Sequence, residues 1–342
     1  MKLGNSSLGS AKNAKNDEFY TQISDIEKEM KYYEHHFKDK HIFCNCDDPE
    51  WSNFWRYFAL NFHRLGLKQL TSTHYEEGSS SYRMDMFKQV PEIFKDKQTF
   101  MTLEETGIEL PLGYITPLED DGDFRSDESI RILEESDIVV TNPPFSLFSE
   151  YVTQLIDFKK GFIILGNMNA VTYKDIFPLF RDNKIWLGVT RTGTGSMWFI
   201  VPDNSPAKTG QKVIDGIRLQ TIGNSAWFTN LDHSKRHEEL ILYKNYSEDD
   251  YPNYDNYKAI ESGKVVDIPL DYYGPIGVPI TFLGKYNPDQ FEIIGASESE
   301  GRGFSNGLWI EESKVSQPLI NGKRKFKRLF IRRKNVKNGG AQ

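Results

Sequence analysis

Val139-Val140-Thr141-Asn142-Pro143-Pro144-Phe145 is an apolar strand that runs directly into Asn-Pro-Pro-Phe. Pro144 lacks an N–H and holds Pro143 in an extended conformation, so the strand ends there in a stiff turn. Upstream, Asp127 to Glu135 reads as a short helix and Ile138 to Thr141 as a strand. Downstream, Leu147 to Phe158 reads as a helix and Phe162 to Leu165 as a strong strand. Strands alternating with helices imply a parallel sheet, and in open α/β sheets ligands sit at the carboxyl ends of the strands. The turn at 142–145 lies at such an end. Four such residues in a row arise by chance on the order of once in five hundred chains of this length, so the run carries weight.

Toward the amino terminus, Ile23, Ile26, Met30, Tyr33 and Phe37 recur at helical spacing, which predicts an amphipathic helix over 22–38 after Thr21. A short strand over His41 to Cys46 follows, broken by Asp47-Asp48-Pro49. Ser52 then caps a helix that runs to Leu65 and stops at Gly66. Leu67 to Thr73 is a second strand, whereas Glu76 to Leu118 has little regular periodicity and reads as an insertion. Beyond Lys184 the runs 185–189, 197–201, 217–222 and 240–243 are short and β-like, so the sheet is expected to continue with antiparallel members. Tyr246 to Tyr257, rich in Tyr, Asn and Asp, reads as a connector. The expected organisation is therefore a large α/β domain over 1–245 and a smaller β-rich region over 246–342.

At 342 residues, with 38% hydrophobic and 13% aromatic, the chain can bury a full core in one large domain or in a large and a small one. It has no run of 18 apolar residues and its start, Met1 to Lys15, is polar, so a soluble cytoplasmic protein is expected. Cys44 and Cys46 stand in an apolar run where a strand points them to opposite faces, which favours two small core residues over a disulfide or zinc site. The net charge of -7 is unevenly spread. Residues 301–342 hold 11 Lys/Arg against 2 Asp/Glu, a local +9 that leaves -16 on the first 300. In that stretch Pro318-Leu319-Ile320, Asn321-Gly322 and Lys323 to Lys334 read as strand, tight turn, strand. Phe326, Leu329, Phe330 and Ile331 would anchor the second strand, while Lys323, Lys325, Lys327, Arg328, Arg332 and Arg333 reach outward toward phosphates. The alternative is an edge strand whose charges deter aggregation.

The chemistry of the turn follows from its groups. A ring amine is a poor nucleophile because its lone pair is delocalised, so a catalyst must hold its N–H groups in acceptors that favour a pyramidal nitrogen. The Asn142 side-chain oxygen and the Pro143 carbonyl are two such acceptors, Pro144 stiffens the turn, and Phe145 offers a ring face. A neutral amide abstracts no proton, so the pattern points to direct displacement on an activated methyl donor and needs no metal. The plain alternative is a proline-rich turn with Phe145 buried. Gly122-Asp123-Phe124 lies upstream, where Asp123 could accept from a cofactor adenine amine and Phe124 could cover its ring.

With these residues in view, the chain resembles the adenine-specific DNA modification methylases of the EcoRI type. The likeness extends over most of the chain and rests on Asn16-Asp17-Glu18-Phe19-Tyr20-Thr21, Cys44-Asn45-Cys46-Asp47-Asp48-Pro49, Thr141 to Phe145, and Gly277-Val278-Pro279-Ile280-Thr281-Phe282-Leu283. The resemblance implies a seven-stranded Rossmann-like domain, S-adenosylmethionine as donor, adenine in double-stranded DNA as acceptor, and a role beside a restriction endonuclease or in epigenetic marking. It implies that Asp17 to Thr21, with Phe19, Tyr20 and Thr21 as cofactor contacts, form an N-terminal cofactor segment, and that Asn45, Cys46, Asp47, Asp48 and Pro49 belong to the first cofactor loop. Asp123 and Phe124 would be the adenine loop, and Asn142 to Phe145 the catalytic motif. The chain departs from most relatives at the first loop, where a glycine-rich turn is replaced by Asn-Cys-Asp-Asp-Pro. There Asp47 or Asp48 could meet a methionine ammonium, or could equally cap the Ser52 helix. Transfer to cytosine N4, RNA adenine or a protein glutamine, and a catalytically silent DNA-binding relative, are the rival readings.

Overall fold

In the computed structural model, β1 (His41–Cys44) is buried at every position, as befits a parallel strand covered on both faces. Residues 21–49, 52–75, 81–95, 98–103, 108–190, 197–200, 210–214, 216–221, 224–297 and 304–334 are described. β1 pairs in parallel with β2 (Gln69–Thr73) on one side and with β6 (Ile138–Thr141) on the other. β7 (Gly161–Asn167) continues in parallel from β6, and β12 (Ser225–Thr229) adds antiparallel to β7. On the far side of β2 the chain lays down β3 (Tyr82–Phe87), β4 (Gln98–Leu103) and β5 (Ile108–Pro117), all antiparallel. The order is β4-β5-β3-β2-β1-β6-β7-β12. The stretch expected to be an irregular insertion is thus a β extension, and it takes the sheet past the seven strands implied by the resemblance. β3 alternates poorly because four of its six positions are half-buried, which leaves no period-two signal to read.

The helices follow their caps. α1 (Ile23–Met30) and α2 (Glu34–Phe37) replace the single helix expected over 22–38. Ser52 accepts the Phe54 N–H at 3.0 Å and starts α3 (Asn53–Leu60), which passes into α4 (Phe62–Leu65) and ends at Gly66 in the left-handed conformation. Ile26, Met30 and Phe37 pack with Phe54, Trp55 and Phe58 against Ile42, Val140, Ile163 and Leu165 on one face of the sheet. Alternation turns Phe43, Val139, Phe162 and Ile164 to the other face, where α5 (Asp127–Glu135) and α6 (Phe148–Asp157) lie. β9 (Trp198–Ile200), β10 (Gln211–Ile214) and β11 (Ile217–Thr221) form a separate three-stranded sheet in the order β10-β11-β9.

These elements belong to one compact unit, the chain up to Met168 with Gly188–Leu231; the other comprises Asn169–Leu187 and the chain from Asp232 onward. The division differs from a boundary at 245/246. Residues 246–257 build core instead of linking domains, with Tyr251, Tyr254 and Tyr257 all buried. The second unit contains α7 (Phe177–Arg181), β8 (Trp186–Leu187) and a four-stranded sheet. That sheet runs β13 (Ile260–Glu261), β14 (Ile276–Pro279), β18 (Arg328–Arg333), β15 (Phe291–Ala296). The strand expected over 240–243 is absent, and Ile241 and Tyr243 there are exposed.

The Asn-Gly hairpin forms, with β16 (Leu319–Ile320) antiparallel to β17 (Lys323–Arg324) and positive φ at both Asn321 and Gly322. Asp255 accepts both turn N–H groups, at 3.1 and 2.7 Å. The second strand does not run on to Lys334 as expected. It stops at Arg324, and β18 is a different strand with neighbours on both sides. No helix among the described residues is long and apolar enough to cross a membrane.

Candidate active site

The chain leaves β1 for β2 on one side and returns past β1 to β6 on the other, so the order reverses between β1 and β6. A crevice opens at the carboxyl ends of strands flanking such a reversal. Both loops singled out in the sequence emerge there, and they are tied together. The Cys46 N–H donates to the Thr141 hydroxyl at 3.3 Å, and that hydroxyl donates to the Asp47 carboxylate. Ser52 donates to the other Asp47 oxygen at 2.9 Å, and the Asn142 backbone N–H also bonds to this carboxylate. Burial pushes the Asp47 carboxyl up to about 6, although the bonds from Thr141, Ser52 and Asn142 pull the other way. From β2, the Ser72 hydroxyl bonds to the Cys44 and Asp47 carbonyls, and Thr73 donates to the Asn45 carbonyl at 3.1 Å. No residue of 45–49 has a positive φ, so this loop keeps its path without the glycines common at that position.

In the motif itself, Pro143 is buried while Asn142, Pro144 and Phe145 are half-buried at the crevice. The Pro144 carbonyl accepts the Leu147 N–H at 3.0 Å, which begins the 3-10 turn Phe145–Leu147 leading into α6. No backbone donor among the described residues meets the Pro143 carbonyl. Phe148, the first residue of α6, lies edge-on to Phe228 and fills the space over Gly166 of β7.

Asn45 is 2% exposed; its side-chain oxygen accepts the Tyr151 hydroxyl, while its Nδ2 has no acceptor among the described residues. Thr21 Oγ1 is a second buried polar atom with no partner among the described residues, and the Thr21 carbonyl accepts from the Asn53 side chain at the start of α3 at 2.8 Å. Phe19 and Tyr20 lie outside the described residues. Asp48 meets His74 Nδ1 at 2.9 Å and accepts the Tyr82 hydroxyl at 3.3 Å, and Pro49 is buried. Neither aspartate caps α3 directly; Ser52 does so, with Asp47 behind it.

Gly122 has φ 81°, and a Cβ there would run into the His74 carbonyl, which brings the 121–124 loop against the end of β2. Asp123 is gripped by Arg125 through Nε at 2.8 Å and Nη2 at 2.7 Å. Burial raises the Asp123 carboxyl, and the Arg125 bonds more than offset it, leaving it below the usual range. Phe124 is buried edge-on to Tyr151, with the Arg125 guanidinium over its ring. Tyr151 is the residue the sequence did not flag. Its place in the Phe148, Tyr151, Val152, Leu155 stripe marks it as core, and nothing in that spacing reveals what its hydroxyl holds.

The six side chains expected to reach phosphates separate in the second unit. Lys323 and Lys327 are exposed and Lys325 is half-buried, with Lys327 bonded to the Thr172 hydroxyl at 3.0 Å. Arg328 is buried, and its guanidinium forks onto Glu261 at 3.0 and 2.7 Å, so it does not point outward as expected. Arg332 pairs with Glu292 at 3.0 Å and Arg333 lies over the Tyr273 ring. Phe326, expected to be an anchor, is 87% exposed. Among the described residues no group of three His, Cys, Asp or Glu is placed to share a metal ion.

A mixed sheet with a parallel centre, whose crevice joins the loop after β1 to Asn-Pro-Pro-Phe after β6, is the architecture of the Rossmann-like S-adenosylmethionine-dependent methyltransferases. The chain belongs to the adenine-specific methyltransferase EcoRI family, whose profile matches residues 7–334. It is 46% identical to the Type II methyltransferase M.EcoRI of Escherichia coli over 97% of this chain and 98% of that one. It is 36% identical to the Type II methyltransferase M.MpnI of Mycoplasma pneumoniae over 95% of this chain and 98% of that one. No solved structure matches the chain significantly.

Proposed function

We propose that the chain transfers the methyl group of S-adenosylmethionine to N6 of adenine at a specific sequence in duplex DNA, as the modification partner of a restriction endonuclease, in the cytoplasm where its DNA lies. The observation that carries this reading is the Asp47 bridge, which fixes Thr141 and Asn142 of the motif to the loop after β1. The buried Asn45 Nδ2, polar and without a partner among the described residues, fits a polar ligand at the loop after β1. Asn45, Thr21 and the 121–124 loop would hold the donor, whose sulfonium supplies a methyl on an already charged leaving group. The Asn142 side-chain oxygen and the Pro143 carbonyl accept hydrogen bonds from the two N6 hydrogens and turn the nitrogen lone pair toward the donor side. Once the methyl has moved and the neutral thioether has left, the methylated nitrogen gives up one proton to water, since neither acceptor is a base. Phe145 stacks on the base. One N6 hydrogen is paired with thymine in the duplex, so the adenine leaves the stack before both acceptors can engage it.

The test is incubation with labelled donor and duplex DNA, RNA or polypeptide, followed by sequencing of modified bases in DNA from expressing cells. Label only in DNA, as N6-methyladenine in one sequence context, is the expected result; label in RNA, in protein or on cytosine overturns it. Asn142→Ala should lower the rate by ~10²-fold or more while donor affinity, read by equilibrium dialysis, stays within about twofold.

A further inference from the structure

Phe326 stands 87% exposed between Lys325 and Lys327, yet the backbone that carries it is tightly held. On one side the Lys325 N–H bonds to the Pro318 carbonyl at 2.8 Å, and Gln317 donates to the Lys325 carbonyl at 2.9 Å. On the other, the Arg328 N–H bonds to the Ser297 hydroxyl at 2.8 Å. Arg328 then completes the mount. Its Nε and Nη2 grip Glu261, while Nη1 donates to the Phe326 and Lys327 carbonyls at 3.1 and 3.3 Å. Glu261 is backed by the Tyr254 hydroxyl, and Tyr254 fits because Gly277 has no side chain; an added Cβ would lie 2.6 Å from Tyr254 Cε2. Gly277 opens the 277–283 segment noted in the sequence, so part of that segment serves this mount.

A buried arginine-carboxylate pair is costly to build, and here it clamps two carbonyls beneath one exposed ring. An aromatic left in water is ordinarily a loss, and rigid presentation between cations matches a ligand with flat apolar faces and a phosphate edge. We infer that Phe326 inserts between base pairs of the bound duplex, while Lys323, Arg324, Lys325 and Lys327 engage the flanking phosphates. The ring displaces stacking in the DNA and replaces it with its own, as wedge residues do in proteins that kink DNA. The inference rests on the reading that this unit meets the duplex, and goes beyond it in assigning the ring.

The experiment measures binding of wild type, Phe326→Ala, Phe326→Trp and the Lys323→Gln/Lys325→Gln double variant to a duplex carrying the methylated sequence. A set of such duplexes has an abasic residue moved one step at a time. Wild type should bind about tenfold tighter when the gap falls at the wedged step, because the unstacking cost there is gone. Phe326→Ala should bind the intact duplex about 10- to 100-fold more weakly and lose the response at the wedged step, keeping only the response at the flipped adenine, and Phe326→Trp should restore both. Phe326→Ala binding like wild type, with the same gap response, overturns the inference. If the lysine double variant still shows a reduced salt dependence in that case, the reading of these lysines as phosphate ligands survives without the wedge; if it does not, both fall. Concentration-dependent self-association abolished by Phe326→Ala, with DNA binding intact, also overturns it in favour of a second copy of the chain.

Discussion

On the proposed reading, Asp47 serves folding and catalysis with opposite preferences. Burial raises its pKa to about 6, above that of an unfolded aspartate, so the folded state favours the protonated form. Its stabilising contribution is therefore present at low pH and is lost as pH rises from the unfolded value near 4 through about 6, on the order of 3 kcal/mol in all. The ionised form, however, is the one with acceptors for Thr141, Ser52 and the Asn142 N–H together. Methyl transfer should fall as pH drops through about 6, and Asp47→Asn should show the low rate at every pH. Rates from pH 5 to 8 for both proteins check this; superimposable profiles remove Asp47 from the role. The motif and first loop were legible in the sequence because each is contiguous and breaks a strand with unusual residues. Tyr151, Ser72 and Thr73, which hold the first loop, and Arg125, which grips Asp123, were not, since a hydroxyl or guanidinium at an ordinary core or loop position carries no spacing signal.

At the level of elements, the proposed catalytic motif is positioned by how α6 is seated on β7. Phe148 follows the motif by three residues, and its ring occupies the space that a side chain at 166 would need, 2.6 Å from Cζ to a Cβ built there. Gly166→Ala should cost about 1–3 kcal/mol through overpacking. It should also lower the rate, because the shifted helix start carries Phe145 with it. Thermal melts and rates with Gly166→Ala and with Gly166→Ala/Phe148→Leu test the cause: the smaller side chain should recover most of both losses, and no recovery would place the defect elsewhere. Helices and strands with sharp ends were readable: α5 is capped by Ser126, the helix after Ser52 is closed by Gly66, and β6 is stopped by prolines. β3 escaped because its half-buried positions blur the alternation, and 240–243 misled because an apolar run need not find a sheet partner.

Across the whole molecule, the positive charge concentrated in 301–342 is only partly available to DNA. Glu261 takes Arg328 and Glu292 takes Arg332, while the hairpin and its exit, Lys323 to Lys327, carry the densest run of remaining cations among the described residues. Changing Lys323 and Lys325 to Gln should flatten the log–log salt dependence of DNA binding by about 0.9 for each phosphate no longer engaged, equally for all sequences. Arg328→Gln should instead destabilise the fold by about 3–5 kcal/mol, since it strands Glu261 in a buried site. Affinity titrations across salt, paired with thermal melts, separate the two behaviours, and an unchanged slope in the lysine variant would move DNA binding away from this hairpin. The second unit is also assembled from two stretches of chain, 169–187 and the part from Asp232, joined where Phe177 packs on Phe304. A module encoded in one block can pass between relatives by a single recombination event. Here a transplanted tail would arrive without its matching 169–187, so new sequence preferences in this lineage should accumulate by substitution in place more readily than by exchange of modules.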